Sequence, residues 1–486
     1  MREDQEVELK LEVDADAAEA LARHPALAGR ARRSLRQVST YYDTGKAALR
    51  KAGYSLRVRA AEGRFVQTVK QDAAGSAGLF DRPEWERDIE GPGLDQAALA
   101  ETPLAGLLKP KLRASLAPVT VSDVERTIWL LEWQGAEIEL ILDHGSIRGD
   151  TREKPLDEIE LELKRGEAAA LFDLARALAR DLPLRIGVLS KSERGFALAD
   201  GRLGKVAKAG PVRVDPEADA GAGFAAIAHA CLKHFRLNED LVAKRDPAAL
   251  HQARVAIRRL RAAFSLFGPV VRDDEGARLR EELRWFAGQL GDARNLDVFL
   301  GRNDLHAEWR PKLEAAREEA YDRVLAALGS QRLRMLLLDL VAWLAIGAWR
   351  QEPPARQPLR TFALDRLDRR WRKVRKAGGQ LRQVDEEARH RFRIDVKKLR
   401  YAVEFLEGLD TDKAKAKPRK AFLGALEAIQ EHLGALNDAA TARILLEGLD
   451  LEIPTDGSGA KAERRHLAAA SKAFDKLRAV GHFWRE

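Results

Sequence analysis

Hydrophobic and polar residues alternate along much of the first 200 residues. The alternation is clearest over 6–13, 54–60, 65–70, 84–89, 126–133, 136–143 and 157–164. Because side chains on a strand point alternately to opposite faces, this pattern predicts strands with one apolar and one polar face. Apolar residues at helical spacing over 14–27 and 166–180 add helices, so we predict an α+β domain built on a large antiparallel sheet.

The pattern changes near residue 223, after which apolar residues recur at intervals of three and four with few helix breakers. This spacing predicts an all-α region, most simply a helical bundle. Between the two regions, residues 201–222 are rich in Gly, Ala and Pro and have no period, which is typical of a linker. We therefore predict a first domain at 1–200, a linker at 201–222 and a second domain at 223–486.

The helical region contains an internal duplication. The segment LHQARVAIRRLRAAFSLF (250–267) aligns with RHRFRIDVKKLRYAVEFL (389–406), and LGDARNLD (290–297) is echoed by LGALNDAA (433–440). Repeats of this kind predict two related helical halves. We interpret residues 289–292 and 432–438, which overlap the second and shorter motif, as helix ends or packing turns.

Charge is distributed unevenly between the two regions. Residues 1–200 contain 30 Lys and Arg against 35 Asp and Glu, whereas residues 201–486 contain 54 against 41. The basic excess of the second region favours a polyanionic partner. Cys231 is the only cysteine, so no intrachain disulfide can form and a reducing compartment is suitable.

Membrane association is not predicted. The N-terminal MREDQEVELK has no apolar core of a signal peptide, and the longest apolar stretch, 335–349, is short and interrupted by Asp339. We interpret this stretch as a buried bundle helix, and we predict a soluble cytoplasmic protein with no membrane partner.

The polar faces of the predicted strands carry charges of both signs. Glu6, Glu8 and Lys10 share one strand face, and similar alternation recurs at 57–59, 68–70, 82–86, 137–143 and 158–164. One such strand commonly belongs to a sheet with a solvated face. Recurrence in one sheet instead favours a closed sheet with a charged lumen. Arg and Lys in such a lumen would bind the oxygens of a phosphate chain, while carboxylates would hold Mg²⁺ or Mn²⁺.

The motifs of the first region resemble those of the CYTH superfamily, the triphosphate tunnel metalloenzymes. The resemblance is carried by EVELK (6–10), YYDTGKAALRKAGYSLRVR (41–59), TVK (68–70), RPEWE (82–86), EIELILDHG (137–145), EIELELK (158–164) and SKSERG (190–195), in this order. It covers residues 1–200. It implies an antiparallel tunnel of eight β-strands.

The resemblance also implies roles for individual side chains. The carboxylates implied to hold Mg²⁺ or Mn²⁺ are Glu6, Glu8, Asp143, Glu160 and Glu162. The residues implied to bind phosphate are Arg57, Arg59, Lys70, Arg82, Arg126 and Lys191. The candidate catalytic set is Glu6, Glu8, Lys10 and Lys70.

Two basic stripes in the helical region point to anion binding. On helices, one stripe comprises His251, Arg254, Arg258 and Arg261 with Arg259 beside it, and the other comprises His390, Arg393, Lys397 and Arg400 with Lys398 beside it. Like charges at this spacing repel, so an anion should compensate them. A single stripe is as often a solvated or ion-paired face, but its duplication favours a binding site.

These stripes resemble the paired signatures of the CHAD family, the conserved-histidine α-helical domains, over about 215–486. The resemblance implies two pseudo-symmetric helical halves that bind inorganic polyphosphate. Surrounded by Arg and Lys, the two histidines are poorly suited to bind a metal ion. We expect them to hydrogen-bond phosphate, as imidazolium at mildly acid pH.

Together the two resemblances imply a metal-dependent hydrolase of inorganic triphosphate that also binds polyphosphate and so associates with polyphosphate granules. Alternatives stay open: an adenylyl cyclase, a thiamine or nucleoside triphosphatase, or a non-catalytic protein that binds polyphosphate or targets granules. Nucleic acid is a less favoured partner because the stripes contain few aromatic residues, although Tyr401 and Trp371 leave it open.

Overall fold

The computed structural model describes residues 2–71, 77–212, 214–302, 305–381, 383–409, 412–451 and 458–485. The chain forms two compact units. The first comprises Met1–Val206 with two later segments, Arg236–Leu241 and Gly329–Gly347, and the second comprises Ala207–Phe235, Val242–Leu328 and Ala348–Glu486. The domain bounds at 200 and 223 stay predictions, and a helix begins at Ala220, inside the segment interpreted as a linker.

A closed antiparallel sheet forms the centre of the first unit. Its strands are β1 (Arg2–Glu12), β2 (Arg32–Thr44), β3 (Tyr54–Ala61), β4 (Arg64–Gln71), β5 (Leu79–Ile89), β6 (Leu116–Trp133), β7 (Ala136–Gly149) and β8 (Arg152–Arg165). They pair in the order β5-β4-β3-β2-β6-β7-β8-β1, and pairing of β1 with β5 closes the sheet. A short β9 (Arg185–Ile186) adds to the end of β1. The predicted eight-stranded tunnel is confirmed.

Two strands differ from the hydrophobic pattern. β2 is absent from the predicted segments, and β6 begins at Leu116, well before the predicted start at 126. In β2 the buried positions include Gln37 and Ser39, which are polar. A search for alternating apolar residues therefore misses a strand whose buried face lines a polar lumen.

The apolar faces of the strands form the core outside the closed sheet. Short helices α1 (Ala15–Leu21), α2 (Ala48–Ala52), α3 (Gln96–Ala100), α4 (Leu104–Leu107) and α5 (Pro110–Arg113) precede the longer α6 (Ala169–Asp181) and α7 (Lys191–Ala199). Leu56, Val58 and Val69 of the sheet pack with Leu49, Leu99 and Leu104 of the helices. Each fully buried aliphatic side chain contributes about 1.5–3 kcal/mol. The core therefore fixes which strand face is turned toward the lumen.

Helix α7 delivers a lysine to the lumen. Ser190 caps its N-terminus in a capping box with Glu193. At Gly195 an added Cβ would approach Thr120 Oγ1 to 2.4 Å, so only glycine allows this close packing on β6. The seated helix places Lys191, its first residue, among the lumen carboxylates.

The rest of the chain is helical, as predicted. Its helices are α8 (Ala220–Val242), α9 (Pro247–Leu266), α10 (Asp274–Leu300), α11 (Arg310–Leu328), α12 (Gln331–Ile346), α13 (Pro353–Arg356), α14 (Leu359–Gly378), α15 (Glu386–Phe405), α16 (Lys413–Gly448) and α17 (Ser458–Val480). α12 is the buried apolar helix expected near 335–349. Among the helices that the structure describes, none has both the length and the apolar character needed to cross a bilayer.

Within the second unit, the duplicated segments become equivalent helices. The first pair of repeats forms α9 and α15, which pack against each other, and each also packs against a long helix, α10 or α16. The interpretation of 289–292 and 432–438 as helix ends or packing turns is wrong, because the first segment lies inside α10 and the second inside α16. Polar residues of the echoed motifs instead contact the basic stripes, as described below.

Candidate active site and candidate polyanion site

The lumen of the closed sheet is a cavity of about 390 Å³. Its described lining includes ten basic and eight acidic side chains, so the two signs nearly balance. The strands supply most of them, because every second residue of a strand faces inward. The basic residues are Lys10, Arg33, Arg57, Arg59, Arg64, Lys70, Arg82, Arg126, Lys164 and Lys191, and the acidic ones are Glu6, Glu8, Glu62, Glu84, Glu86, Glu139, Glu160 and Glu162.

A buried acidic cluster lies beneath Lys191. Carboxylate oxygens of Asp143, Glu158 and Glu160 all lie within 4.8 Å of one another. Lys191 Nζ lies 2.7 Å from Asp143 Oδ2 and 2.9 Å from Glu160 Oε1, and it also contacts Glu158. Arg126 holds Asp143 through two hydrogen bonds, of 2.8 and 2.6 Å. Bidentate pairing of this kind fixes the geometry of both groups.

The cluster shifts the pKa of its members in both directions. Burial tends to raise the pKa of Asp143 and Glu160, but the charges of Arg126, Lys191 and, for Glu160, Lys10 outweigh it, so both pKa values are lowered. Burial dominates at Glu158 and raises its pKa. The pKa of Lys191 is raised well above its usual value, because Asp143, Glu158 and Glu160 outweigh the effect of burial.

A second group of ion pairs connects β1 with β4 and β5. Lys70 pairs with Glu6 and lies 2.9 Å from Glu84, while Arg82 donates to Glu8 at 3.0 Å. Lys10 donates to Glu8 at 3.0 Å and also pairs with Glu160, so it joins this group to the acidic cluster. Burial tends to raise the pKa of Glu6, but the charges of Lys70 and Arg82 lower it.

Three lumen arginines keep unused donors. The Nε atoms of Arg57, Arg59 and Arg82 are buried and have no hydrogen-bond partner among the residues that the structure describes. Their terminal nitrogens pair only loosely in two cases, with 3.4 Å from Arg57 to Glu84 and 3.4 Å from Arg59 to Glu86. A buried donor without a partner costs about 1–3 kcal/mol. The lumen arginines therefore include buried donors that the described residues leave unsatisfied.

The second unit contains a cavity of about 230 Å³ with a different charge balance. Its basic lining comes from both repeats and their companion helices, whereas Asp438 is the one acidic residue among the lining residues described. The basic groups are His251, Arg254, Arg258, Arg294, Arg302, Arg393 and Lys397.

Both repeats contribute similar contacts to this cavity. Arg254 donates to Asn295 of α10 at 3.3 Å, and Arg393 donates to Asn437 of α16 at the same distance, 3.3 Å. Asn437 Oδ1 also lies 3.1 Å from His390 Nδ1. Each half thus presents an arginine held by an asparagine.

Two cationic groups of this cavity have lowered pKa values. Burial, with Arg393, Arg258 and Arg254 nearby, lowers the pKa of Lys397 to about 7. Burial, with Arg294, Arg258 and Arg254 nearby, lowers the pKa of His251 to about 4. The expected imidazolium is therefore not the form of His251 at mildly acid pH, where its ring is neutral. Such low pKa values indicate that nearby acidic groups do not balance the positive charge around Lys397 and His251.

Models of two protein families match the two regions of the chain. The model of the CYTH domain matches residues 4–196, and the model of the CHAD domain matches residues 226–447. This chain contains a CYTH domain and a CHAD domain. A curated relative from Haemophilus influenzae, named inorganic triphosphatase, is 32% identical over 162 residues, which are 33% of this chain and 45% of that protein. The match thus spans less than half the length of that relative.

Solved structures similar to parts of the chain include two plant proteins. The crystal structure of the CHAD domain from Ricinus communis is 29% identical, covers 58% of this chain and 97% of its own, and has a TM-score of 0.47. A Hippeastrum protein, described as an adenylyl cyclase candidate with a dominant triphosphatase activity, is 18% identical, covers 40% of this chain and 95% of its own, and has a TM-score of 0.31.

Most of the residues singled out in the CYTH sequence lie together in the lumen. The cavity is lined by Glu6, Glu8, Lys10, Arg57, Arg59, Lys70, Arg82, Arg126, Glu160, Glu162 and Lys191. Asp143 lies behind them, fully buried against Arg126 and Lys191. Glu158 also belongs to the acidic cluster, although it was not among the metal-binding carboxylates predicted from the sequence. Its two-residue spacing from Glu160 in EIELELK was the available signal.

The CHAD stripes divide between the cavity and other surroundings. His251, Arg254, Arg258, Arg393 and Lys397 line the cavity. The other five do not line it: Arg259 is buried over the Phe405 ring, Arg261 and His390 are exposed, Lys398 is half-buried, and Arg400 pairs with Glu404 at 3.0 Å. Arg294, Asn295, Arg302, Asn437 and Asp438 were missed, although all but Arg302 lie in the echoed motifs.

Proposed function

We propose that the CYTH domain hydrolyses inorganic triphosphate to pyrophosphate and phosphate in the lumen, with Mg²⁺ or Mn²⁺. The observation that carries this proposal is the set of buried, unpartnered Nε donors of Arg57, Arg59 and Arg82 beside carboxylates. A phosphate chain supplies the missing acceptors, and the carboxylates supply a place for a cation on the same oxygens. The name of the Haemophilus influenzae relative supports this choice of substrate.

The carboxylates present fit a hard divalent cation. Such cations prefer oxygen ligands. The lumen and the buried acidic cluster contain carboxylates from three strands, β1, β7 and β8. The residues that would hold the ion are Glu6, Glu8, Asp143, Glu160 and Glu162, with Glu158 added from the acidic cluster. A bound ion would neutralise phosphate charge and lower the pKa of water.

The basic residues would bind and orient the substrate. Arg57 and Arg59 of β3, with Lys70 of β4, would stabilise charge that develops on the transferred phosphoryl group. Arg82, Arg126 and Lys191 would hold the remaining oxygens. Each of these three residues is also paired with a carboxylate, so phosphate and metal would bind within an existing network of ion pairs.

The test is to offer the purified chain tripolyphosphate, ATP, thiamine triphosphate and long-chain polyphosphate with Mg²⁺ or Mn²⁺, and to identify products by ³¹P NMR. We expect pyrophosphate and phosphate from tripolyphosphate at the highest kcat/KM. Pyrophosphate with cyclic nucleotide from ATP would establish the cyclase alternative. No reaction on any substrate would support a non-catalytic, polyphosphate-binding protein.

For the CHAD domain we propose binding of inorganic polyphosphate in the basic cavity, which would allow a cytoplasmic enzyme to associate with polyphosphate granules. Burial, together with repulsion from neighbouring cations, lowers the pKa values of Lys397, Arg254 and Arg393, which supports this proposal because an anion would relieve the repulsion. The binding should weaken with salt, and polyphosphate should be preferred to DNA at equal phosphate concentration. Equal affinity for both would reduce the site to a general polyanion site.

A further inference from the structure

Two arginines hold Glu12, the last residue of β1. Arg194 of α7 donates to one oxygen of its carboxylate at 2.7 Å, and Arg236 of α8 donates to the other at 2.8 Å. Burial tends to raise the pKa of Glu12, but the charges of Arg236 and Arg194 lower it. Glu12 is therefore an anion shared by two cations, and charge-assisted hydrogen bonds of this kind fix the position of both partners.

Arg236 also contacts the short strand that pairs with the end of β1. It is buried, it pairs with Glu239, and its Nε donates to the carbonyl oxygen of Ile186 in β9 at 2.9 Å. The next residue, Gly187, donates its backbone N–H to the carbonyl oxygen of Lys10 at 2.9 Å. One guanidinium thus holds the end of β1 both directly and through β9.

The place of Arg236 in the chain is unexpected for a residue with these contacts. The segment Arg236–Leu241 belongs to the first compact unit, which contains the closed sheet. The CYTH model nevertheless ends at residue 196, and this segment lies within residues 226–447, which the CHAD model matches. A helix of the CHAD-matched region therefore supplies a buried contact to a strand of the lumen.

Arg194 connects Glu12 to the lumen. It lies three residues after Lys191 in α7, so both side chains project from the same side of that helix. Glu12 lies opposite Glu158 in the pairing of β1 with β8. Burial tends to lower the pKa of Arg194, but the charges of Glu12 and Glu158 raise it. Without Arg236, these two carboxylates would compete for Arg194, and α7 would shift together with Lys191.

We propose that Arg236 is a positioning residue for the lumen, which fixes α7 and its Lys191 through the carboxylate of Glu12. The CHAD-matched part of the chain thereby completes the site for the phosphate chain. Arg236 acts at a distance, because it is not among the described residues that line the lumen. This inference rests on the proposed function, in which Lys191 holds phosphate oxygens, and extends it to a residue outside the CYTH match.

The test measures two quantities in the full chain: kcat/KM for tripolyphosphate, and the Kd of the non-hydrolysable analogue diimidotriphosphate with Mg²⁺, by calorimetry. In Arg236→Met, which keeps an apolar stem of similar length, kcat/KM should fall about tenfold and Kd should rise by a similar factor. Unchanged values of both quantities would overturn the proposal.

A double-mutant cycle tests the route through α7. Arg194→Met should cause a loss similar to that of Arg236→Met, and the double variant should lose at most about twofold more than either single variant, because both changes act on the same carboxylate. Losses that multiply to about a hundredfold would show independent effects and would contradict the proposed route.

Arg176→Met is the matched control. It removes the 2.8 Å ion pair of Arg176 in α6 with Asp339 in α12, which also joins the closed-sheet unit to CHAD-matched residues. Its kcat/KM and Kd should stay within about twofold of the wild-type values, even where its Tm falls as far as that of Arg236→Met. Equal losses of activity in the two variants would reduce Arg236 to a purely structural role.

Glu12→Gln keeps the test decisive if Arg236→Met does not fold, because the amide preserves the shape of the side chain and removes its charge. We expect about a threefold loss in kcat/KM, and wild-type values would contradict the proposal. A wild-type chain that binds diimidotriphosphate without hydrolysing tripolyphosphate would contradict the proposed function alone, and the change in Kd would then decide this inference.

Discussion

The CYTH lumen and the CHAD cavity both collect basic side chains, but they differ in what surrounds those side chains. In the lumen, Lys10 and Lys191 are buried against carboxylates, and their pKa values are raised. In the cavity, burial and the surrounding arginines lower the pKa of Lys397 to about 7, although Asp438 lies nearby. The same residue type thus reports opposite electrostatic environments in the two sites.

This difference predicts different chemistry. In the lumen, acidic side chains nearly balance the basic ones, and we call such a site compensated. It can accept a phosphate chain together with a divalent cation, because acidic groups are already in place for the cation. Among its described lining residues the cavity has a single carboxylate, that of Asp438, so it gains mainly from an anion, which removes repulsion among the cations. We therefore expect catalysis in the lumen and binding without catalysis in the cavity.

Removal of divalent metal should separate the two sites most strongly. With EDTA in excess, we expect phosphate release from tripolyphosphate to disappear, while polyphosphate affinity, measured by calorimetry, changes less than about twofold. Added Mg²⁺ should restore the release. Loss of polyphosphate binding upon chelation would contradict the distinction.

Substitution of the β1 carboxylates is expected to have the next largest effect. Glu6→Gln with Glu8→Gln should reduce kcat for tripolyphosphate by about a hundredfold or more, because metal ligands and partners of Lys70 and Arg82 are lost. Glu125→Gln, at an exposed position outside the cavity lining, is the matched control. Near-normal phosphate release by the double variant would contradict the assignment of Glu6 and Glu8 to the metal site.

In the CHAD cavity, Arg254→Ala with Arg393→Ala should weaken polyphosphate binding between about tenfold and a hundredfold, because each arginine makes charge-assisted hydrogen bonds. Tripolyphosphate turnover should be retained within about twofold. Arg478→Ala, on the exposed face of α17, is the control and should leave the affinity unchanged. An equal loss in the control would indicate attraction by net charge rather than a site.

The smallest effect concerns pH. Below about pH 7, Lys397 is already protonated, whereas above it the empty cavity must take up a proton when an anion binds. Polyphosphate affinity should therefore fall about three- to tenfold between pH 7 and 9, and Lys397→Arg should flatten this dependence. His251, with a pKa of about 4, does not titrate in this window. A steeper dependence in Lys397→Arg would assign the titration to another group.

The sequence was informative where charge alternates with apolar residues. In EVELKLE (6–12) and EIELELK (158–164) the outward positions Leu9, Leu11, Ile159 and Leu161 are fully buried, so the pattern identified both the strands and their lumen faces. It was less informative in β2, where Gln37 and Ser39 are buried polar residues. Periodicity of apolar residues does not detect polar burial.

Electrostatic state could not be predicted from spacing alone. The stripes predicted that His251 and Lys397 lie among cations. Their pKa values, however, depend on how deeply these two side chains are buried and on how closely the packing of α9, α10 and α15 brings Arg254, Arg294 and Arg393 to them. Likewise, the repeated motifs contained Asn295 and Asn437, yet only the packing of α10 and α16 places these residues against the stripe arginines.

Anomalous scattering from crystals of the full chain, grown with Mn²⁺ and a non-hydrolysable triphosphate analogue, would locate the metal ion directly. We expect a manganese peak in the lumen among Glu6, Glu8 and Glu160, with phosphate density on Arg57 and Arg59. We expect no manganese among the arginines of the CHAD cavity. Manganese in that cavity, or phosphate in the lumen without manganese, would contradict the division between a compensated catalytic site and an uncompensated binding site.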